Sequence, residues 1–227
     1  MLLEHSIILL KKEIKHMPGR HDQMSHGRRF GKLSYTSPLH ENDSQVRSSQ
    51  LSAAYKDQID ALSPEQTKAI RTYTGDSYEP MNGQLRYGNG SYTTNTLKEQ
   101  IATATEGLNT GRAPFAFKTL RGIDIADPDT MFNDLTKKVG KTFVDPAFVS
   151  TTANMNTSFF GSDIRFQVHV PKGARGLYVN DISYSQNERE FLIPPGSRFK
   201  VLKTEIDQYG KRVVSLGLAT QPNKKKA

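Results

Sequence analysis

Between Leu51 and Lys138 the apolar residues recur mostly at helical spacing; after Phe143 they alternate or come in short runs bounded by turn residues. Ser63-Pro64-Glu65-Gln66 predicts a helix start, with Ser at the cap, Pro in the first turn and Gln three residues after the cap. That helix runs to Tyr73 and stops at Thr74-Gly75. A second covers Tyr78 to Tyr87 and a third Thr94 to Leu108. Asp127-Pro128-Asp129 opens a fourth that ends before Gly140. Strands are predicted at Phe115–Arg121, Ala147–Val149, Ile164–Val170, Leu177–Val179, Phe191–Ile193, Arg198–Ile206 and Arg212–Leu218, with Gln208-Tyr209-Gly210-Lys211 as a hairpin connection. Helices first and strands later predict an α+β fold, not an alternating parallel sheet.

Composition changes this picture mainly at the ends. Residues 16–50 are poor in large apolar side chains and read as a linker or partner-dependent arm, preceded by a short amphipathic helix. The chain therefore divides into a basic N-terminal helix and arm (1–50), a folded domain (51–220) and a basic tail (221–227). The net charge is +8, but residues 33–223 carry 21 basic and 20 acidic side chains, so the excess sits at the termini. Basic termini argue only weakly for a nucleic-acid partner. There are no cysteines, which excludes disulfides and thiolate chemistry. His16, His21 and His26 recur every five residues, yet no carboxylate or thiol pattern completes a metal site, so no metal is expected. No apolar run is long enough to span a membrane, and Glu4 stands where a signal peptide carries positive charge.

Three polar stations interrupt the apolar pattern. Arg121 ends a predicted strand and is followed by Gly122, whose missing side chain lets a ligand approach the backbone. Ser150-Thr151-Thr152 ends the next strand. Glu188 and Glu190 lead into Phe191-Leu192-Ile193, which Pro194-Pro195-Gly196 closes. In an extended segment residues i and i+2 share a face about 7 Å apart, so the two carboxylates are expected to act together on one bound molecule. Taken singly, each station is also an ordinary turn or surface residue.

The order of these stations, with intervals of 29 and 40 residues from Arg121 to Ser150 and on to Glu190, resembles bacterial mono-ADP-ribosyltransferases of the Arg/Ser-Thr-Ser/Glu-x-Glu class, the group of clostridial binary toxins and C3-like exoenzymes. The matching stretches are Tyr73–Arg86, Leu120-Arg121-Gly122, Phe148–Thr152, Val170–Gly173 and Asn187–Pro194. They span roughly Leu51 to Leu218 in the family's order. Thr152 stands at the third position of the Ser-Thr-Ser motif and Gly122 where binary-toxin members often carry a second Arg. Asp163 lies near a position that is commonly basic, with Arg165 two residues on.

The resemblance implies a split, mainly antiparallel β-sandwich with helices packed on it around an NAD cleft. It implies NAD as co-substrate and transfer of ADP-ribose to a nucleophile with release of nicotinamide. Glu190 would stabilise the positive charge that develops on the ribose and hold its 2′-hydroxyl. Ser150 would orient Glu190. Arg121 and Arg86 would grip the pyrophosphate, because a planar guanidinium fork matches phosphate oxygens. Asn82 and Tyr78 would help hold the nucleotide, Gly122 would meet the nicotinamide carboxamide, and Phe159 or Phe160 would stack on its ring. Glu188 sits where the family selects its acceptor; a carboxylate there resembles the arginine-modifying members. Tyr184 would lean against the acceptor as an aromatic platform, or pack the turn.

The expected partner is thus a target protein with an accessible arginine. Pro18–Gln23 and Ser25–Arg29 resemble a short segment of phage head-associated proteins, so a capsid or delivery partner for the basic arm is a further expectation, with action in a target-cell cytoplasm. Two other functions fit the same residues: an NAD glycohydrolase with water as acceptor, and a non-catalytic phage accessory that binds nucleic acid or capsid through its basic ends.

Overall fold

The computed structural model describes residues 47–88, 94–155 and 161–220. The expected N-terminal helix, most of the arm with its three histidines, the basic tail, and Phe159 and Phe160 lie outside the described residues. Helix α1 (Ser48–Asp60) starts just inside the stretch read as linker, because Leu51 and Tyr55 are fully buried and tie it to the core. Helix α2 (Pro64–Thr72) has the predicted capping box: the Gln66 amide donates to Ser63 Oγ at 3.2 Å and the Ser63 amide to Gln66 Oε1 at 3.1 Å. Such caps are worth about 1 kcal/mol. The chain then makes a wide turn at Tyr73–Ser77, kinked at Gly75, before α3 (Tyr78–Tyr87). Helix α4 (Asn95–Thr110) starts where the Leu97 amide meets Thr94 Oγ1, and α5 (Pro128–Thr136) where the Thr130 amide meets Asp127 Oδ1.

The strands are β1 (Phe117–Ile123), β2 (Thr142–Asp145), β3 (Val149–Thr152), β4 (Ile164–Val170), β5 (Leu177–Tyr178), β6 (Glu190–Ile193), β7 (Ser197–Ile206) and β8 (Arg212–Leu218). They form one eight-stranded sheet in the order β2-β7-β8-β4-β1-β3-β6-β5, antiparallel except for β4 against β8. β1 meets β3 through the single pair Leu120↔Thr152, so the sheet narrows to one bridge between a five-stranded and a three-stranded half. Arg121, Ser150 and Glu190 lie on the three strands β1, β3 and β6 beside that narrowing.

Several boundaries differ from the sequence reading. Arg121 does not end its strand: β1 continues to Ile123 because all seven of its residues pair with β4. Ser150, Thr151 and Thr152 are not a turn after a strand but most of β3, held to β6 by Ser150↔Leu192, Thr151↔Phe191 and Thr152↔Glu190. β2 is an additional edge strand beside β7. One apolar core joins the layers. Tyr55 of α1 packs on Phe191 of β6 at 6.1 Å, Phe117 of β1 meets the same ring edge-on at 5.1 Å, and Tyr73 lies 4.8 Å from Phe148. The last contact seats the kinked turn against the start of β3. No helix among the described residues is long and apolar enough to cross a membrane.

Candidate active site

The kinked turn, α3, β1, β3 and the loop before β6 enclose an open cavity of about 1290 Å³. Arg121, Gly122, Ser150, Glu188 and Glu190 all line it, as do Tyr78, Asn82 and Arg86 of α3 and Tyr184 of the loop. Stations spread over more than a hundred residues thus converge on one crevice. Its volume exceeds the roughly 300–1000 Å³ of pockets for drug-sized ligands and suits a dinucleotide.

Glu190 opens β6 and is 4% exposed. Its backbone is fixed on both sides: it pairs with Thr152, and its carbonyl accepts from the Val179 amide at 2.9 Å. Ser150 stands diagonally across on the same face of β3, the spacing at which cross-strand side chains reach one another. Its hydroxyl is placed to donate to the Glu190 carboxylate and favours the charged form. Burial pushes the Glu190 carboxyl up to about 7, and the Glu188 carboxylate adds to this; the Ser150 hydrogen bond and the Arg121 guanidinium oppose it. Above about pH 7 Glu190 therefore carries a charge in a site where water is scarce, and that charge has a large effect on whatever binds beside it.

This strain on Glu190 has a measurable consequence. Below the ordinary carboxyl value of 4.5 the group is neutral in both folded and unfolded chains. As pH rises through about 7, the folded chain must ionise a buried acid that the unfolded chain ionised already, so stability is lost. Glu190→Gln is expected to melt above the wild type at pH 8, by up to about 3 kcal/mol of stability, and with it at pH 4. Thermal melts at the two pH values check this; equal melting at pH 8 would contradict it.

Glu188 is exposed at the rim, in a short 3₁₀ turn, Gln186–Glu188. The extended geometry expected between the two acids is not what aligns them. Arg189 sits in the left-handed region with φ 51, the one described non-glycine residue to do so, and turns the chain between them. Tertiary contacts hold that costly backbone. The Arg189 amide donates to Asn180 Oδ1 at 3.1 Å, and the Ala153 amide donates to the Arg189 carbonyl at 2.9 Å. Thr152 Oγ1 donates to the Glu188 carbonyl at 2.6 Å. The third hydroxyl of the Ser-Thr-Thr run thus fixes the first glutamate, while Ser150 holds the second.

The cationic side is built at the floor. Arg121 donates from Nη1 to the Ser150 carbonyl at 3.3 Å. Burial pushes its guanidinium below the usual range, offset chiefly by Asp145. Arg86, its side chain only 4% exposed, is paired by Nη2 with both oxygens of Asp145 at 3.2 and 3.4 Å. Asp145 also accepts from the Ala147 amide, so β2 carries the anchor of Arg86 and the charge that offsets the burial of Arg121. The sequence reading missed Asp145, which ends the short strand β2 that it did not assign. Asn82 lines the cavity with its amide already engaged: Oδ1 accepts from the Phe148 amide at 3.0 Å and Nδ2 donates to the Tyr73 hydroxyl at 3.1 Å. It braces α3 and the kinked turn on β3. Arg165 is absent from the lining; it pairs with Asp207 at 3.7 Å, while Asp163 accepts from the Ile125 amide.

Charge is divided by depth. Arg86 and Arg121 are held low, whereas Asp76, Glu79 and Glu188 are exposed around the opening. Asp76, in the kinked turn, and Glu79, in the first turn of α3, were also missed. Among the described residues no group of His, Asp or Glu is arranged to hold a metal ion.

With fold and cavity established, comparison with known proteins places the chain. The sequence model of the ADP-ribosyltransferase exoenzyme family matches residues 49–225, and the chain belongs to that family. It is similar to NAD(+)–protein-arginine ADP-ribosyltransferase Tre1 of Serratia proteamaculans, 32% identical over 150 residues that make up 66% of this chain and 31% of Tre1. It is similar also to mono-ADP-ribosyltransferase C3 of Clostridium botulinum D phage, 25% identical over 71% of this chain and 73% of C3. The Clostridium limosum C3 exoenzyme structure superposes with a TM-score of 0.66 at 18% identity, over 76% of this chain and 95% of that one, and shares the fold. The chain spans between about a fifth and a third of the length of the relatives named as arginine ADP-ribosyltransferases that it matches.

Proposed function

We propose that the protein is an NAD-dependent mono-ADP-ribosyltransferase that transfers ADP-ribose to an arginine side chain of a target protein and releases nicotinamide. The observation that carries this reading is the pairing of a buried Glu190, with Ser150 diagonally across from it, and an exposed Glu188 on one cavity whose floor is cationic.

NAD would lie with its pyrophosphate toward Arg86 and Arg121 and its nicotinamide ribose beside Glu190. As the bond from ribose C1′ to nicotinamide breaks, positive charge grows on the sugar. The ionised Glu190 carboxylate, already in place and poorly solvated, stabilises that charge. Ser150 keeps the carboxylate aimed, and Gly122 lets the nicotinamide approach the backbone of β1. Glu188 at the opening pairs with the incoming guanidinium, positions it and favours loss of its proton. The acidic rim formed by Asp76, Glu79 and Glu188 supports a cationic acceptor over a neutral one. The arginine-modifying relatives carry that activity in their names, which supports the same acceptor here.

Arg121→Lys is expected to lower kcat/KM for NAD roughly 10- to 100-fold, since a point charge replaces a two-point grip that is worth about 1.5–3 kcal/mol. Unchanged kinetics would remove Arg121 from the site. For the function as a whole, nicotinamide release is followed with and without agmatine, a small guanidine. Release that depends on agmatine, with ADP-ribosylagmatine formed, supports transfer to arginine. Equal release without an adduct would make water the acceptor. The exoenzyme family and the phage-borne C3 relative support action inside a target cell after delivery by a particle or secretion machine.

A further inference from the structure

A guanidinium lies on one of the side chains that line the cavity. Arg71, exposed in the last turn of α2, lies with Cζ 4.9 Å from the centroid of the Tyr184 ring. That is the distance at which a guanidinium is attracted to an aromatic face. The ring is not loosely placed. The Tyr184 amide donates to Thr74 Oγ1 at 3.1 Å, and a Cβ added to Gly75 would lie 3.1 Å from Tyr184 Cδ2, so the missing side chain of Gly75 makes room for the ring. Tyr184 nevertheless remains 65% exposed, which a ring that merely packed a turn would not be.

The neighbours of this contact are the walls of the active site. Thr72, Tyr73 and Thr74, the three residues after Arg71, line the cavity; so do Ser185 and Glu188, which follow Tyr184 in the same loop. Arg71 thus sits one residue from the cavity wall, on an aromatic side chain of the loop that carries Glu188. The acidic rim of Asp76, Glu79 and Glu188 draws a cation inward from there.

We propose that Arg71 is a self-acceptor: in the absence of a target, the protein transfers ADP-ribose from NAD to its own Arg71. This rests on the arginine-transferase reading of the site. A guanidine nitrogen of Arg71 forms a bond to C1′ of the nicotinamide ribose as the bond from C1′ to nicotinamide breaks. The electron pair of that bond leaves with nicotinamide and neutralises its ring, and one proton passes from the guanidinium through Glu188 to solvent. The product carries a pyrophosphate over an acidic rim, beside the platform a target arginine would use. Modified protein therefore accepts agmatine more slowly.

The test is incubation of the whole chain with NAD and no acceptor, followed by peptide mass spectrometry. The expected result is one ADP-ribose on Arg71, formed at a fractional rate independent of protein concentration, absent in Glu190→Gln and lost from that peptide in Arg71→Lys. Arg71→Lys should still modify agmatine. Transfer to agmatine with Arg71 unlabelled, or labelling spread over many arginines with a rate that rises with protein concentration, would overturn self-modification and leave the proposed function standing. Absence of any nicotinamide release would overturn both.

Discussion

Glu190→Gln is expected to reduce nicotinamide release on the order of 1000-fold, with NAD binding changed far less. The size follows from what is removed. A preorganised group aimed at developing charge in a water-poor site contributes about 100- to 1000-fold for a single neutral hydrogen-bond donor, and a full charge contributes at least as much. Gln keeps the shape and a hydrogen bond with Ser150 but not the charge. The pH profile carries the same signature. Burial holds the Glu190 carboxyl near 7, so kcat/KM for NAD should rise with pH through about 7 and level off above it, since that ratio reports ionisation in the free enzyme. Steady-state release of nicotinamide across pH measures both. A Gln variant within a few-fold of the wild type would remove Glu190 from the chemistry.

Glu188→Gln should separate two steps that the wild type couples. Transfer to agmatine is expected to fall roughly 100-fold or more, the usual scale for losing a positioned proton acceptor. Cleavage of NAD without an acceptor should change several-fold at most, because Glu188 stands exposed at the opening and Glu190 stands buried below it. The backbone of Glu188 is held by Thr152 Oγ1 and not by its own carboxylate, so the substitution leaves the loop in place. Parallel assays of adduct and nicotinamide check this. Equal loss of both would contradict an acceptor role.

The helices and most strands were legible because their signals are local. Ser63 to Gln66 specifies a cap within four residues, and the connection at Gln208–Lys211 closes as expected, with Gly210 at φ 74 and its amide on the Asp207 carbonyl at 2.9 Å. What was misplaced depended on partners far along the chain. β3 is a strand of hydroxyls, and Thr151 and Thr152 are buried in it only because β6 and the Glu188 loop accept their hydrogen bonds. No apolar alternation announces such a strand. The relation of Glu188 to Glu190 was read from ideal strand geometry. The actual turn at Arg189 is a left-handed residue that no local glycine signals and that Asn180 and Ala153 hold from outside. Asp145 escaped notice for the same reason, since its meaning lies in Arg86, 59 residues earlier. The candidate site was visible as an order of polar stations; the supports that aim it were not.

The most direct measurement is a crystal structure of the protein with NAD or a slowly cleaved analogue. The account predicts the nicotinamide ribose 2′-hydroxyl within hydrogen-bond distance of the Glu190 carboxylate, the pyrophosphate against Arg86 or Arg121, and Glu188 facing solvent beside the ribose. A nucleotide bound outside this cavity, or one seated in it with Glu190 turned from the sugar, would contradict it.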